Sequence, residues 1–254
     1  MRPPDELRSL VETYLADLAL TPELGGLAGP MHYAIGGKLI RPVLCLATAE
    51  AAGAEPEAAL PAAVAVELVH SFSLVHDDLP ALDDDDVRRG KPAVHVEYGE
   101  TTAVLTGDAL LVEAFRLALS YRTPGVAREL ARTTAGMIGG QYLDLTVSDA
   151  DRGEIQRLKT GALFEASVGC ALWVAGMPED EQQPWRAFAA ELGPLFQLVD
   201  DILDGDGAVA EHGPEGARRL ADAAAAGAQE RLHTIAADTS VLAGIVDDLA
   251  TRTA

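Results

Sequence analysis

A helical period recurs along almost the entire chain, and this feature restricts the fold more than any other. In the first such stretch, apolar residues follow the i, i+3, i+4, i+7 spacing of an amphipathic helix: Leu7, Leu10, Val11, Tyr14, Leu15 and Leu18. Later alanine- and leucine-rich stretches predict helices over Glu57–Asp78, Thr101–Tyr121, Gly125–Thr146, Glu154–Ala175, Gln182–Asp204, Glu215–Ala236 and Ser240–Thr251. Pro42 and Pro61 are typical of first-turn positions in such helices. Because no stretch alternates apolar and polar residues between turns, the sequence predicts an all-α fold.

The composition is that of one globular domain. The chain has 254 residues, of which 48% are hydrophobic, so it can bury a sizeable core. No uninterrupted apolar run approaches the roughly 18 residues of a membrane span, and the first residues lack the order of a signal peptide. The two cysteines, Cys45 and Cys170, lie in apolar runs and predict buried thiols rather than disulfides. We therefore expect one domain over residues 1–254, in the cytoplasm and without a membrane span.

The overall charge excludes some classes of partner. A formal net charge of −21 repels nucleic acid and anionic membrane surfaces. An anionic substrate would therefore have to be held by a local group of cations or through metal ions.

The first acidic cluster lies between His76 and Gly90. Asp77 and Asp78 end an apolar helix, because Pro80 cannot continue it, and Asp83 follows in the loop. Carboxylates at a helix C-terminus face the negative end of the helix dipole, and a bound cation would remove this conflict. The alternative is an acidic loop that is merely solvated.

The second acidic cluster lies at the end of another apolar helix. Asp204 follows Asp200 by four residues and Asp201 by three, so the three carboxylates are expected near one helix face. Solvated acids at a helix end are the alternative here. Two such clusters predict a cavity with oxygen ligands on opposite walls, and oxygen-only ligands favour magnesium over zinc.

Basic residues form the third element, and together they suit recognition of a diphosphate. Lys38 and Arg41 follow two glycines, Arg88 and Arg89 follow the acidic loop, and Lys159 interrupts an apolar helix; these are joined by His70, two helical turns before Asp77. Taken singly, the arginines could be plain loop charges and the histidine a core residue.

In combination, these strings resemble the polyprenyl synthetase family of trans-isoprenyl diphosphate synthases, and most closely its bacterial farnesyl diphosphate synthases. The resemblance runs from about Gly36 to Asp204 and includes the acidic loop with its four-residue spacer, Leu-Pro-Ala-Leu. The motifs GDALL, GGQYLDL, KTG and FQLVDDILD follow in the family's order, at Gly107–Leu111, Gly139–Leu145, Lys159–Gly161 and Phe196–Asp204.

The resemblance implies a fold and a reaction. The fold would be a single bundle of ten or more helices around a central cavity, of the isoprenoid synthase type, in a homodimer. The enzyme would condense isopentenyl diphosphate with an allylic diphosphate, dimethylallyl or geranyl, with three magnesium ions per active site.

The resemblance also implies residue roles. The magnesium ligands would be Asp77, Asp78, Asp83, Asp200, Asp201 and Asp204. The allylic diphosphate would contact Arg88, Lys159, Thr160 and Gln197, and isopentenyl diphosphate would contact Lys38, Arg41, His70 and Arg89. The residues expected to be catalytic are Asp77, Asp78, Arg88, Lys159 and Asp200.

Product length would depend on cavity depth. Phe72 and Ser73 lie roughly 6–7.5 Å deeper along the helix than Asp77, at about 1.5 Å per residue. In similar enzymes an aromatic residue at the position of Phe72 forms a floor, which favours farnesyl diphosphate. Geranyl or geranylgeranyl diphosphate is the alternative product, and an ordinary core role is the alternative for Phe72.

The sequence departs from the family pattern in two places. Leu39 occupies a position where the family usually has an arginine, which predicts a weaker isopentenyl site. No lysine follows Lys159, although the family has a lysine loop after its second aspartate motif; Arg218 and Arg219 are candidate replacements. The shortened tail is also expected to leave the cavity mouth more open.

Two rival functions remain. A class I terpene cyclase would place a glutamate where the spacing of Asp200 and Asp204 leads to Ala208. A non-catalytic regulatory subunit is compatible with the missing lysines, but such partners tend to lose the aspartates, and this chain retains all six.

Overall fold

Long α-helices make up most of the residues that the structure, a computed structural model, describes, namely 1–147 and 151–252. The helices are α1 Pro4–Ala16, α2 Ala28–Ala34, α3 Ile40–Ala51, α4 Pro56–Asp77, α5 Val94–Tyr98, α6 Glu100–Ala118, α7 Gly125–Thr146, α8 Arg152–Gln156, α9 Ala162–Val174, α10 Gln183–Asp204, α11 Gly207–His233 and α12 Ser240–Ala250. The described residues also form two short 3₁₀ helices, Pro22–Leu27 and Glu179–Glu181, and a hairpin of two short strands, β1 Val87–Arg88 and β2 Lys91–Pro92. The predicted all-α bundle of ten or more helices is confirmed.

Helix α4 lies at the centre of the bundle, between α3, α6 and α9. By length and composition α4 could cross a membrane, since its most apolar 18-residue window has a mean hydropathy of 1.7, but 72% of that window is buried inside the protein. The sequence prediction considered only uninterrupted apolar runs, and Glu67 and His70 interrupt this one. We conclude that α4 is a core helix, because burial is what its apolar surface requires.

Pro61 lies inside α4 and not in its first turn, so the prediction for this proline was wrong; Pro56 takes the first position. A proline inside a helix opens the backbone hydrogen-bond ladder. Here the Tyr121 hydroxyl enters the gap: it accepts from the Ala62 N–H at 3.1 Å and donates to the Ala58 carbonyl at 2.8 Å. The helix therefore continues through the proline.

Two predicted helices differ from the structure by more than a shift of one to three residues at an end. The single helix expected over Glu154–Ala175 is divided into α8, a π-helical turn at Arg157–Gly161, and α9. Helix α11 begins at Gly207 and not at Glu215. It contains a kink at Gly213, which has a φ of 71° and is followed by Pro214. The early start was missed because Gly213 and Pro214 are typical of a helix boundary.

Candidate active site

A cavity of about 710 Å³ opens between the start of α3, the C-terminal half of α4, the β1–β2 hairpin, α7, the π-helical turn and α10. It brings together most of the residues that the sequence singled out. Its lining includes Lys38, Arg41, His70, Phe72, Ser73, Asp77, Arg88, Arg89, Lys159, Thr160, Gln197 and Asp200.

The acidic loop folds back onto the end of α4, which stops at Asp77, one residue before the predicted end. The Asp83 N–H donates to the Asp77 carbonyl at 2.8 Å, and the Asp85 N–H donates to the Asp78 carbonyl at 3.2 Å. This return brings the Asp83 carboxylate towards Asp77 and within 3.5 Å of the Gln141 amide nitrogen. Burial, followed by the charges of Asp83 and Asp78, raises the pKa of Asp77 to about 6, although Lys159 opposes the rise.

Asp78 does not line the cavity, because it is buried and paired with Arg88. The Arg88 Nε donates to Asp78 Oδ1 at 2.9 Å, Nη2 donates to the same oxygen, and Nη2 also donates to Asp85 Oδ2 at 3.0 Å. These bonds raise the pKa of Arg88 and fix its guanidinium at the cavity wall. Asp78 therefore positions the Arg88 guanidinium through direct hydrogen bonds.

The second acidic cluster is divided between different environments. Asp200 lines the cavity, Asp204 is exposed, and Asp201 is buried against the first turn of α11. Asp201 Oδ2 accepts from the Ala208 N–H at 2.8 Å, and Asp201 Oδ1 accepts from the Gln197 amide at the same distance. The expectation that all three carboxylates share one face does not hold for Asp201, because the early start of α11 places backbone donors beside it.

Among residues 1–147 and 151–252, no group of three or more Asp, Glu, His or Cys side chains is close enough to enclose a metal ion. Of the six predicted metal ligands, Asp77 and Asp200 line the cavity, and both have a raised pKa, chiefly because of burial. A divalent cation would relieve this conflict. Magnesium fits an open set of carboxylate oxygens, because it keeps several waters and takes further ligands from substrate phosphates.

Buried basic residues form another part of the cavity lining. The Arg41 guanidinium lies 4.8 Å from the centre of the Phe164 ring and 5.5 Å from that of Phe196. Burial lowers its pKa to about 10, so it remains a cation at neutral pH. Its Nε has no hydrogen-bond partner among the residues that the structure describes, which leaves a strong donor for a ligand.

Arg89 and His70 extend this part of the lining. Arg89 follows β1 with a φ of 55° and Gly90 with a φ of 74°, so two left-handed residues close the hairpin and aim Arg89 at the cavity. A Cβ at Gly37 would lie 3.0 Å from the Arg89 Cζ, so a larger residue would push the guanidinium away, and the φ of 103° at this position also favours glycine. Burial, and then the charges of Arg41 and Arg89, lower the pKa of His70 well below its ordinary value, and the imidazole is neutral.

The π-helical turn presents Lys159 and Thr160 to the cavity. Lys159 Nζ lies 2.7 Å from Asp144 Oδ2 of α7, and the Thr160 hydroxyl lies 3.4 Å from Gln197 Oε1 of α10. Close backbone contacts hold this arrangement, since a Cβ at Gly193 would lie 2.5 Å from the Gly161 Cα. Widened helical turns of this kind occur often at functional sites.

The structure also places residues in the cavity that the sequence reasoning missed. Arg252, just after α12, lies 3.8 Å from Asp200 Oδ1 and 5.4 Å from the centre of the Phe196 ring. Glu67 is buried in the lining beside Arg41 and Arg89, and burial raises its pKa to about 7. An acid inside an apolar helix, one turn before His70, was a signal for Glu67, whereas nothing near Arg252 in the sequence indicated its place.

The two arginines suggested as replacements for the family's lysine do not line the cavity. Arg218 Nε donates to Asp222 Oδ1 at 2.8 Å, and Arg218 Nη2 donates to the Ala250 carbonyl. Arg219 has a side chain that is 74% exposed and pairs with Glu215. Both belong to the outer surface of α11 and to its junction with α12.

The sequence is similar to those of known prenyl diphosphate synthases. A farnesyl diphosphate synthase of Geobacillus stearothermophilus is 39% identical over 227 residues, which are 80% of this chain and 75% of that protein. A geranylgeranyl diphosphate synthase of Cyanophora paradoxa is 43% identical over 185 residues, and the match spans 66% of this chain but only 61% of that relative's length. Several other relatives are matched over little more than half of their length.

Solved structures are similar to this protein over the whole fold. The crystal structure of a geranyltransferase from Legionella pneumophila superposes with a TM-score of 0.84 at 28% identity, over 98% of this chain and 96% of that one. The family profile described as polyprenyl synthetase matches residues 26–218. The chain therefore belongs to the polyprenyl synthetase family.

Proposed function

We propose that residues 1–254 form one short-chain trans-prenyl diphosphate synthase domain, which condenses isopentenyl diphosphate with an allylic diphosphate. The observation that supports this most is a single cavity with carboxylates at one wall, cations beside them, and an apolar interior. A cavity with these features suits a substrate that has a diphosphate at one end and a hydrocarbon tail at the other.

Magnesium is the proposed cofactor, with three ions per site. Asp77, Asp83 and Asp200 are the acids best placed to hold it, and Asp78, Asp201 and Asp204 would support them. When bound, magnesium supplies positive charge that stabilises a departing diphosphate.

The basic residues of the cavity are proposed to bind the two diphosphates. Arg88, Lys159, Thr160 and Gln197 contact the allylic one, next to the acids. Lys38, Arg41, His70 and Arg89 contact that of isopentenyl diphosphate. Arg88 is held in place by Asp78 before any substrate arrives, so little freedom is lost on binding.

Arg252 is proposed to replace one of the missing family lysines. Its guanidinium lies 5.4 Å from the centre of the Phe196 ring, and that of Arg41 lies 5.5 Å from the same centre. The charge of Arg252 also helps to lower the pKa of Arg41, so we propose that both groups serve one diphosphate. Its Nε also lacks a partner within residues 1–147 and 151–252. This position supports a role at the isopentenyl site, where Leu39 removes another family cation.

The apolar part of the cavity is proposed to hold the growing chain away from water, which would otherwise quench an allylic cation. Phe72, Leu74, Met137, Ile138, Leu163 and Phe196 supply these walls. The buried Phe72 ring, below Asp77 on α4, favours farnesyl diphosphate as the product. Geranylgeranyl diphosphate is the second candidate, because the relative from Cyanophora is named for that product.

A homodimer is proposed as the active form. Large apolar side chains are exposed along α6 and α7: Val104, Leu105, Val112, Ile138, Tyr142 and Leu145. Ile138 is 52% exposed although it also lines the cavity. A second copy that covers this face would complete the wall at Ile138. A cytoplasmic location is retained as part of the proposal, and two buried free thiols, Cys45 and Cys170, are compatible with it.

The test is a product assay. Purified protein is mixed with magnesium, labelled isopentenyl diphosphate and either dimethylallyl or geranyl diphosphate, and the products are dephosphorylated and sized. We expect condensation, its loss in Asp200→Asn, and its retention in Asp84→Asn, a matched change in the exposed part of the acidic loop. Folded wild-type protein that condenses neither primer would favour a regulatory subunit or a terpene cyclase.

A further inference from the structure

The His76 side chain is fixed between α4 and α6 at the edge of the cavity. Its Nε2 donates to the Val104 carbonyl of α6 at 3.0 Å. Its ring meets the Phe72 ring edge-on, with centroids 5.2 Å apart and planes at 78°. Both rings line the cavity, and they are one helical turn apart on the same face of α4. The Phe72 ring is therefore braced by His76 on the side towards the acids.

Helix α6 makes room for this imidazole at Gly107. A Cβ at Gly107 would lie 2.1 Å from His76 Nε2 and 2.3 Å from His76 Cδ2, closer than real side-chain carbons approach such atoms. Any larger residue at position 107 would therefore displace the ring. The ring lines the cavity and contacts Phe72, so a displacement away from α6 moves it towards Phe72 and the cavity.

We propose that Gly107 and His76 determine product length together with Phe72. Gly107 determines the position of the His76 ring. That ring in turn determines the distance between the Phe72 floor and the acids. This inference rests on the proposed function and extends it, because it assigns chain-length control to a residue of α6 that does not itself line the cavity. The hydrocarbon tail would stop growing where it meets the Phe72–His76 pair.

Three variants test the proposal in the product assay. Gly107→Ala should push the imidazole into the cavity and shorten the main product by one five-carbon unit. His76→Ala should remove the brace and lengthen the product. The ratio of the longer to the shorter product should shift by roughly tenfold in each case, as a methylene-sized change in an apolar pocket commonly does. Gly107→Ala combined with His76→Ala should behave like His76→Ala alone, because the new methyl group then meets no ring.

The matched control is Gly125→Ala. A Cβ there would lie 2.3 Å from the Trp173 Cδ2, a comparable steric conflict at a site outside the cavity lining. It should leave the product ratio unchanged even if it lowers stability. If Gly107→Ala does not fold, as judged by circular dichroism, His76→Ala alone still tests the brace.

Each result has one meaning. An unchanged product ratio in folded, active His76→Ala would overturn the proposal, and so would a double variant that makes products shorter than those of His76→Ala. Absence of any condensation in the wild type would overturn the proposed function itself, and this inference with it, before any variant is compared.

Discussion

Replacing Arg252 with alanine should weaken the use of isopentenyl diphosphate much more than that of the allylic primer. The lost group is a guanidinium whose side chain is only 22% exposed and whose Nε has no partner in the described part of the chain. A hydrogen bond to a charged partner contributes about 1.5–3 kcal/mol. At about 1.4 kcal/mol per tenfold change, kcat/KM for isopentenyl diphosphate should fall roughly 10- to 100-fold.

The same change should alter the pH dependence. Burial raises the pKa of Asp200, and the positive charge of Arg252 is the main influence that opposes this rise. Without Arg252 the pKa of Asp200 rises further, so the acid limb of the pH–rate profile should move to higher pH. Steady-state kinetics with each substrate varied in turn, across a pH series, measures both effects.

Arg219→Ala is the matched control, because it removes the same charge from an exposed position on α11. Arg252→Lys should restore part of the activity, since the cation returns without its fork of donors. The reasoning would be refuted if Arg252→Ala and Arg219→Ala had equal kinetics, or if Arg252→Ala raised the KM of the allylic primer alone.

Three further predictions concern the floor, the core and the metal. Phe72→Ala should lengthen the product by at least one five-carbon unit, which sizing of the dephosphorylated products will measure. Glu129→Ala should lower the free energy of unfolding in urea by about 1.5–3 kcal/mol, because the Arg186 guanidinium loses its carboxylate partner at 2.9 Å and keeps the neutral Gln182 amide oxygen as acceptor. Magnesium should raise the Tm more at about pH 7.5 than at about pH 5.5, because burial raises the pKa of Asp77 to about 6 and a proton then competes with the cation.

Each of these predictions has a control. An unchanged product after Phe72→Ala would exclude the floor. Arg132→Ala removes the second arginine partner of Glu129. The Arg132 side chain is 66% exposed, so this change should cost about 0–1 kcal/mol. Equal losses from the two changes would contradict a buried ion pair at Glu129. For the metal, Asp77→Asn should reduce the difference between the two pH values, and the raised pKa of Asp200 would account for the part that remains.

The helices could be predicted because their apolar period is long and strong. Gly125–Thr146 was predicted with the bounds that the structure gives to α7. The π-helical turn at Arg157–Gly161 could not be predicted, because it depends on the close approach of Gly161 to Gly193 in another helix. The hairpin was missed because two residues per strand are too few to show alternation.

The lining of the site could be predicted where a motif places a side chain at a helix end. Asp77 and Asp200 are examples, and both face the cavity. The separate environment of Asp201 could not be predicted, because its partner, the Ala208 N–H, belongs to a helix that begins earlier than the sequence indicates. Arg252 was missed for a similar reason: its position depends on how α12 packs against α10, and no local pattern encodes that packing.

The hydroxyl of Tyr121 has a consequence for how this sequence can change over time. It is the group that keeps α4 continuous at Pro61, and it comes from a residue 59 positions after Ala62. A chain that lost Tyr121 but kept Pro61 would leave the N–H of the buried Ala62 without this partner, at about 1–3 kcal/mol for a buried group. A chain that lost Pro61 would have no use for the hydroxyl there. Positions 61 and 121 should therefore covary among relatives, so that the residue at one position predicts the residue at the other.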